Sequence, residues 1–201
     1  MVNVYTQLLV KRRLVDNEEA NSYAEIITQG VRRMEALIDD VLSYSRVIHA
    51  DTEAGAIDLS AVLAEVLTNL KLQIEESGAQ IRTMVLPWVR GEKLALTHVF
   101  QNLLSNSLKY RQPDVPLEIV ISAEKKGPEC LISVRDNGIG FDQQYAERIF
   151  GLFKRLHSDA YPGTGLGLAV CKRIVERYGG RIWAESKRNE GATFYFTLPG
   201  A

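Results

Sequence analysis

Asp136-Asn137-Gly138-Ile139-Gly140 follows directly on an alternating apolar stretch, Glu129–Arg135, that reads as a strand. A carboxylate at a strand end, followed by two glycines, can accept a hydrogen bond from an exocyclic amine while the backbone passes close to a flat ring. The same five residues would also make an ordinary turn, because Asp-Asn-Gly favours one. Their meaning depends on what the rest of the chain places beside them.

Upstream lies a helical pattern, Glu92–Tyr110, in which Asn102, Asn106 and Lys109 fall at i, i+4 and i+7 on one stripe. Phe100, Leu103 and Ser107 occupy other azimuths, so the stripe is not simply the core face. An asparagine oxygen can ligate a magnesium ion that keeps most of its waters and binds phosphate. A lysine one turn later can neutralise phosphate charge. His98 lies one turn earlier on that stripe, where a surface or hydrogen-bonded histidine is the plainer reading. A solvated polar face would account for the asparagines equally well.

Downstream, Gly163-Thr164-Gly165-Leu166-Gly167-Leu168 leads straight into a helix. Such a start exposes several backbone N–H groups and the positive end of the helix dipole, which suits phosphate oxygens. No lysine follows the glycines as a P-loop requires. No strand precedes them directly, which disfavours a dinucleotide fold. A flexible hinge loop remains the alternative.

The surrounding pattern is mixed. Ser60 is the expected cap of a helix running to Glu76. Gln80–Leu86, Leu117–Glu124, Glu129–Arg135, Arg181–Ser186 and Ala192–Leu198 read as strands, and Leu166–Tyr178 as a helix stopped by Gly179-Gly180. Without regular βαβ alternation this is α+β, a sheet with its helices on one face. The 201 residues carry 24 basic and 25 acidic side chains, a balance that offers no footprint for nucleic acid or an anionic membrane. No apolar run approaches the roughly 18–20 residues that span a bilayer, and Met1–Val4 lacks a secretion signal's pattern. Cys130 and Cys171, far apart in apolar sequence, read as buried thiols in a reducing cytosol. Three histidines without ligand spacing speak against zinc.

The first fifty residues differ. From Tyr23 to His49 there is no proline, and Ile27, Met34, Val41 and Ile48 recur every seven positions with Val31 and Ile38 between. This is the apolar stripe of a long amphipathic helix. Asp16 and Glu19 form a start signal, and Val4, Leu8 and Val15 mark the end of a preceding helix. Residues 49–57 are small and polar, a linker.

Taken in order, Asn102–Lys109, Asp136–Gly140, Arg148–Leu156 and Gly163–Leu168 resemble the N, G1, F and G2 boxes of the histidine-kinase ATP-binding domain. That family is part of a superfamily with gyrase-type, chaperone and mismatch-repair ATPases. The resemblance runs from about Ile57 to Pro199, and Gly179–Trp183 with Gly191–Phe194 is closest to phytochrome-like and related bacterial sensor kinases. It implies a two-layer sandwich of three helices on a mixed sheet, spanning residues 57–201 behind a linker at 51–56.

The resemblance also implies roles. Asp136 would bond the adenine amine, with Gly138 and Gly140 shaping its loop and Thr193 supporting it through water. Asn106 would hold Mg²⁺, with Asn102 beside it near the phosphates. Lys109 and Tyr110 would line the phosphate side. Phe150 to Arg155, including Lys154, and the stretch to Tyr161 would form a lid, with Arg155 contacting the γ-phosphate. Gly163, Thr164, Gly165, Leu166, Gly167 and Leu168 would carry the lid's end to the phosphates of ATP.

Residues 1–50 resemble the later part of a dimerisation and phosphoacceptor hairpin, which implies a homodimer through the N-terminal helices. The family's acceptor histidine, on the first helix, is not matched here: no histidine precedes His49. The expectation is therefore a fragment of a longer sensor kinase or a short form, without autophosphorylation as given. Its phosphoryl group would be bound for a response regulator receiver domain in the cytoplasm, with no nucleic acid or membrane contact. Two other readings stand beside it. One is a nucleotide-binding and dimerisation module without transfer. The other is a gyrase-like or chaperone-like ATPase, for which a glutamate would be expected where Asn102 stands.

Overall fold

The computed structural model describes residues 54–156 and 163–201 throughout, and 24–28, 30, 31, 34, 35 and 38 ahead of them, all ten helical. In that N-terminal set Ile27, Met34 and Ile38 of the expected stripe are exposed. The rest of the expected hairpin, and the Asp16–Glu19 start signal, lie outside the described residues.

From Gly55 onward the order is β1 (Gly55–Asp58), α1 (Leu59–Asn69), α2 (Lys71–Ser77), β2 (Gln80–Thr83), β3 (Trp88–Gly91), α3 (Lys93–Lys109), β4 (Glu118–Lys126) and β5 (Glu129–Asp136). Two 3₁₀ turns, Gln143–Tyr145 and Arg148–Phe150, precede α4 (Gly167–Arg177), β6 (Ile182–Lys187) and β7 (Gly191–Pro199). Five strands make one sheet in the order β2-β4-β5-β7-β6, parallel only between β2 and β4. A separate ribbon pairs β1 with β3. This is the expected mixed sheet under a helical layer.

Alternation explains the layering. Cys130, Ile132, Val134 and Asp136 are the buried residues of β5, matched in register by Leu198, Phe196, Phe194 and Ala192 of β7. Against them α3 buries Val99, Phe100, Leu103 and Leu104, α1 buries Val62 and Val66, and α4 buries Val170 and Ile174. Phe100 meets Phe196 edge-on, with ring centroids 5.8 Å apart, which locks α3 to the middle of the sheet. The thiols of Cys130 and Cys171 are free and buried. Burial pushes the Cys171 thiol up to about 12.

Several sequence expectations are corrected. Asp58, not Ser60, caps α1, accepting from the Ser60 N–H at 2.8 Å. The Ser60 hydroxyl instead accepts from the Leu86 N–H at 2.9 Å and tethers the β2–β3 connection. The expected single helix to Glu76 breaks at the buried Leu70 into α1 and α2. The strand expected to run to Leu86 stops at Thr83, and β3 follows it. Gly55 and Ala56, read as linker, pair with Gly91 and Arg90 in β1. Four-residue strands leave almost no periodicity, so the ribbon has no clear signal in the sequence.

Candidate functional site

The site grows from the C-terminal end of β5, the central strand. Asp136 is the last residue of β5 and is only 7% exposed. Its Oδ1 accepts from the N–H of Gly138 at 2.9 Å and of Ala192 at 3.3 Å, while Oδ2 accepts from the Ser107 hydroxyl at 3.0 Å. Burial pushes its carboxyl above the ordinary carboxylate range, and these three donors pull the other way. Gly138 must be glycine: a β-carbon there would lie 2.9 Å from the carboxylate and 2.5 Å from the Tyr110 carbonyl oxygen.

Behind the loop sits a clasp that sequence reasoning missed. The Gln112 amide donates to the carbonyls of Asn137 at 2.8 Å and Gly138 at 3.1 Å, and reaches that of Asn189 at 3.3 Å. The Asn137 side chain accepts from the Glu118 N–H and donates to the Pro116 carbonyl, fastening the loop to the start of β4. Only contacts between residues distant in sequence reveal this arrangement.

Two adjoining cavities open at this end of the sheet. The smaller, about 90 Å³, is walled by apolar side chains, among them Ile139, Phe141, Leu156 and Phe194, with Asp136 as its carboxylate. The larger, about 240 Å³, is walled by Asn102, Lys109, Gly163, Thr164, Gly165 and Gly167. Asn106, Tyr110, Lys154, Arg155 and Leu168 belong to both walls. Among the described residues, the larger cavity's wall carries three cationic side chains and no carboxylate. An apolar slot with one buried acceptor thus runs into a cationic chamber.

Each wall has a local cause. On α3, Asn102, Asn106 and Lys109 share the expected stripe, and the Lys109 ammonium lies 4.5 Å from the Tyr110 ring centroid. The Asn102 amide donates to the His98 carbonyl at 3.0 Å and turns its oxygen against Gly167 at the start of α4. Gly165 has φ +78°, and a β-carbon would stand 2.9 Å from the Phe153 carbonyl carbon, so the glycine loop can fold back over Lys154.

Three expected site residues stand apart from both cavity walls. Gly138 acts from behind through its N–H. Leu166 is buried and accepts from the Val170 N–H to start α4. Thr193 is a correction: it pairs with Arg135, on the sheet face opposite Asp136, and Ala192 is the β7 residue that meets the carboxylate. Ser107 carries a signal of its own: a hydroxyl among the apolar azimuths of α3, buried there together with that of Thr97, needs a partner.

Residues 91–201 match the family described as histidine kinase-, DNA gyrase B- and HSP90-like ATPases. The chain belongs to that family. It is 48% identical over 200 residues to cyanobacterial phytochrome A of Nostoc sp., covering 97% of this chain and 26% of that protein. It is 34% identical over 186 residues to the methanogenesis regulatory histidine kinase FilI of Methanothrix harundinacea, covering 92% of this chain and 21% of that one. The chain thus spans about a quarter of the length of these curated relatives. Full-length ShkA in complex with AMPPNP superposes over the whole chain, and over 42% of ShkA, with a TM-score of 0.74 at 25% identity. The chain thus carries an ATP-binding domain of histidine-kinase type.

Proposed function

We propose that this chain is the catalytic core of a two-component sensor histidine kinase, binding Mg·ATP and presenting its γ-phosphoryl group to a histidine on another polypeptide segment. The observation that carries this reading is the shared wall between the two cavities. A purine would occupy the apolar slot, with its exocyclic amine toward Asp136, and the triphosphate would lie in the chamber lined by Lys109, Lys154 and Arg155. Guanine would turn an oxygen toward the carboxylate, so adenine is preferred.

The donor set suits magnesium. An Asn106 amide oxygen is a hard ligand in a cationic, phosphate-sized chamber, and Mg²⁺ takes one or two protein oxygens while keeping waters and phosphates. When bound, the ion would neutralise charge on the phosphates. Lys109 and Lys154 would add positive charge, Arg155 would hold the γ-phosphate, and the glycine loop would offer backbone N–H groups at the N-terminus of α4. In transfer, the bond from the γ-phosphorus to the bridging oxygen breaks and a bond to the histidine nitrogen forms. ADP leaves, and the imidazole proton passes to solvent. The chain's contribution is positioning and charge stabilisation.

Hydrolysis is disfavoured by the same wall. Asn102 is an amide committed to the His98 carbonyl, and an amide cannot serve as a general base toward water. Residues 1–50 are proposed as part of a dimerisation hairpin, 51–56 as a connection shortened by β1, and 57–201 as the catalytic domain. The exposed Ile27, Met34 and Ile38 support a homodimer through that stripe. The phosphoryl group would pass onward to a response regulator receiver domain. A cytoplasmic setting fits two free buried thiols.

The deciding experiment supplies a polypeptide bearing an acceptor helix together with radiolabelled ATP. Acid-labile phosphate on that polypeptide is expected, and none on this chain alone. ATP binding without any transfer would leave a nucleotide-binding and dimerisation module.

A further inference from the structure

We infer that Ser107 is a positioning residue for base selection: its hydroxyl fixes the Asp136 oxygen that meets the exocyclic amine of the purine. The inference rests on the adenine reading of the apolar slot and goes one residue beyond it.

The acceptor count makes the case. A carboxylate offers two acceptor positions on each oxygen. Both on Oδ1 are taken by protein, from the N–H groups of Gly138 and Ala192. Oδ2 has the Ser107 hydroxyl at 3.0 Å and one position left, and Asp136 lines the slot. The position open to a ligand N–H is therefore on the oxygen that Ser107 holds. The terminal torsion of an aspartate is broad, so a donor on the second oxygen narrows the carboxylate's plane.

Ser107 is 1% exposed, so its bond to the carboxylate is shielded from bulk water. Its hydroxyl also lies 3.3 Å from the Leu103 carbonyl one turn back, the contact a merely self-satisfied buried serine would make. Its single proton goes to the closer and stronger acceptor, the carboxylate. Ser107 directly follows Asn106, which reaches the chamber wall. One peptide unit of α3 thus serves both ends of the nucleotide, and the Ser107–Asp136 bond joins that helix to the end of β5.

The test compares two nucleotides on the full 201-residue chain by calorimetry with magnesium: ATP, and purine riboside 5′-triphosphate, which lacks only the amine. Ser107→Ala should weaken ATP about tenfold, the scale of one hydrogen bond to a charged group. Binding of the amine-free nucleotide should stay within about twofold, so selectivity collapses. Equal weakening of both nucleotides would reduce Ser107 to packing, and unchanged selectivity would remove its role; either overturns the inference. If the alanine variant does not fold, Ser107→Cys keeps the shape with a weaker donor and should move selectivity in the same direction. Asp136→Asn separates the levels. If the wild-type chain does not distinguish the two nucleotides and Asp136→Asn changes neither, the adenine reading itself has failed. If the wild-type chain distinguishes them and Asp136→Asn does not, while Ser107→Ala still distinguishes them as the wild type does, only the inference has failed.

Discussion

The Asn102 side chain rests its amide oxygen against Gly167, the first residue of α4, while its nitrogen donates to the His98 carbonyl at 3.0 Å. This contact sets the distance between α3 and the glycine loop, and so the width of the cationic chamber. A methyl group on Gly167 would collide with that oxygen. Gly167→Ala should cost about 1–3 kcal/mol of stability, the range for an overfilled contact. It should weaken ATP more than adenosine, because the displacement falls on the chamber proposed for the phosphates. Thermal unfolding and calorimetry with both ligands check this, and equal binding by the variant would refute it.

Asp136→Asn should trade affinity for stability. Burial raises the carboxyl's pKa in the folded chain, so between the ordinary value of 3.8 and the raised one the folded state binds more protons than the unfolded state. The carboxyl's contribution is fully present below 3.8 and is lost as pH rises through the folded value. At neutral pH the buried charge is a cost. The asparagine can still accept from Gly138 and Ala192 and can donate to Ser107. The variant should therefore unfold at higher temperature than wild type at pH 7, with the advantage fading toward pH 4. ATP binding should fall by about 1.5–3 kcal/mol. Melting curves across pH, with titrations at pH 7, read both halves.

Gln112 holds three carbonyls around the Asp136 loop. Gln112→Ala should lower stability by about 1 kcal/mol, since one side-chain amide bond is worth that much net. Faster amide exchange should appear at Ile139 and Asn189, whose N–H groups bond to Tyr110 and Ile139. Exchange unchanged at both positions would mean the clasp is ornamental.

Lys109 is half-buried beside the Tyr110 ring and faces the chamber. Lys109→Met should weaken ATP about fivefold at low salt, the scale of a partly exposed ion pair. Adenosine affinity should not move, and the difference for ATP should shrink at high salt as screening takes over. Parallel titrations at two ionic strengths distinguish a charge effect from a packing effect.

Local sequence carried the helical stripe of Asn102, Asn106 and Lys109, because side chains three and four residues apart on a helix must share a face. It carried the glycine-rich start of α4 and the Asp136 loop at a strand end for the same kind of reason, since each is a short-range backbone requirement. The resemblance then joined them into one site. The β1–β3 ribbon was not legible, because four-residue strands have too few alternations to stand out. Nor was the cap of α1: the hydroxyl of the expected cap, Ser60, accepts from the Leu86 N–H, and Asp58 caps the helix instead.

Sequence by itself determined which residue types would line the proposed nucleotide site and in what order along the chain. Tertiary structure decided their facing. Pairing β7 to β5 in one register puts Ala192 opposite Asp136 and turns Thr193 to the other side of the sheet; a shift of one residue would exchange them. Packing α3 across that sheet brings Ser107, 29 positions earlier, to the carboxylate. Register and helix packing are set by the fit of the whole core, and no short stretch of chain contains that information.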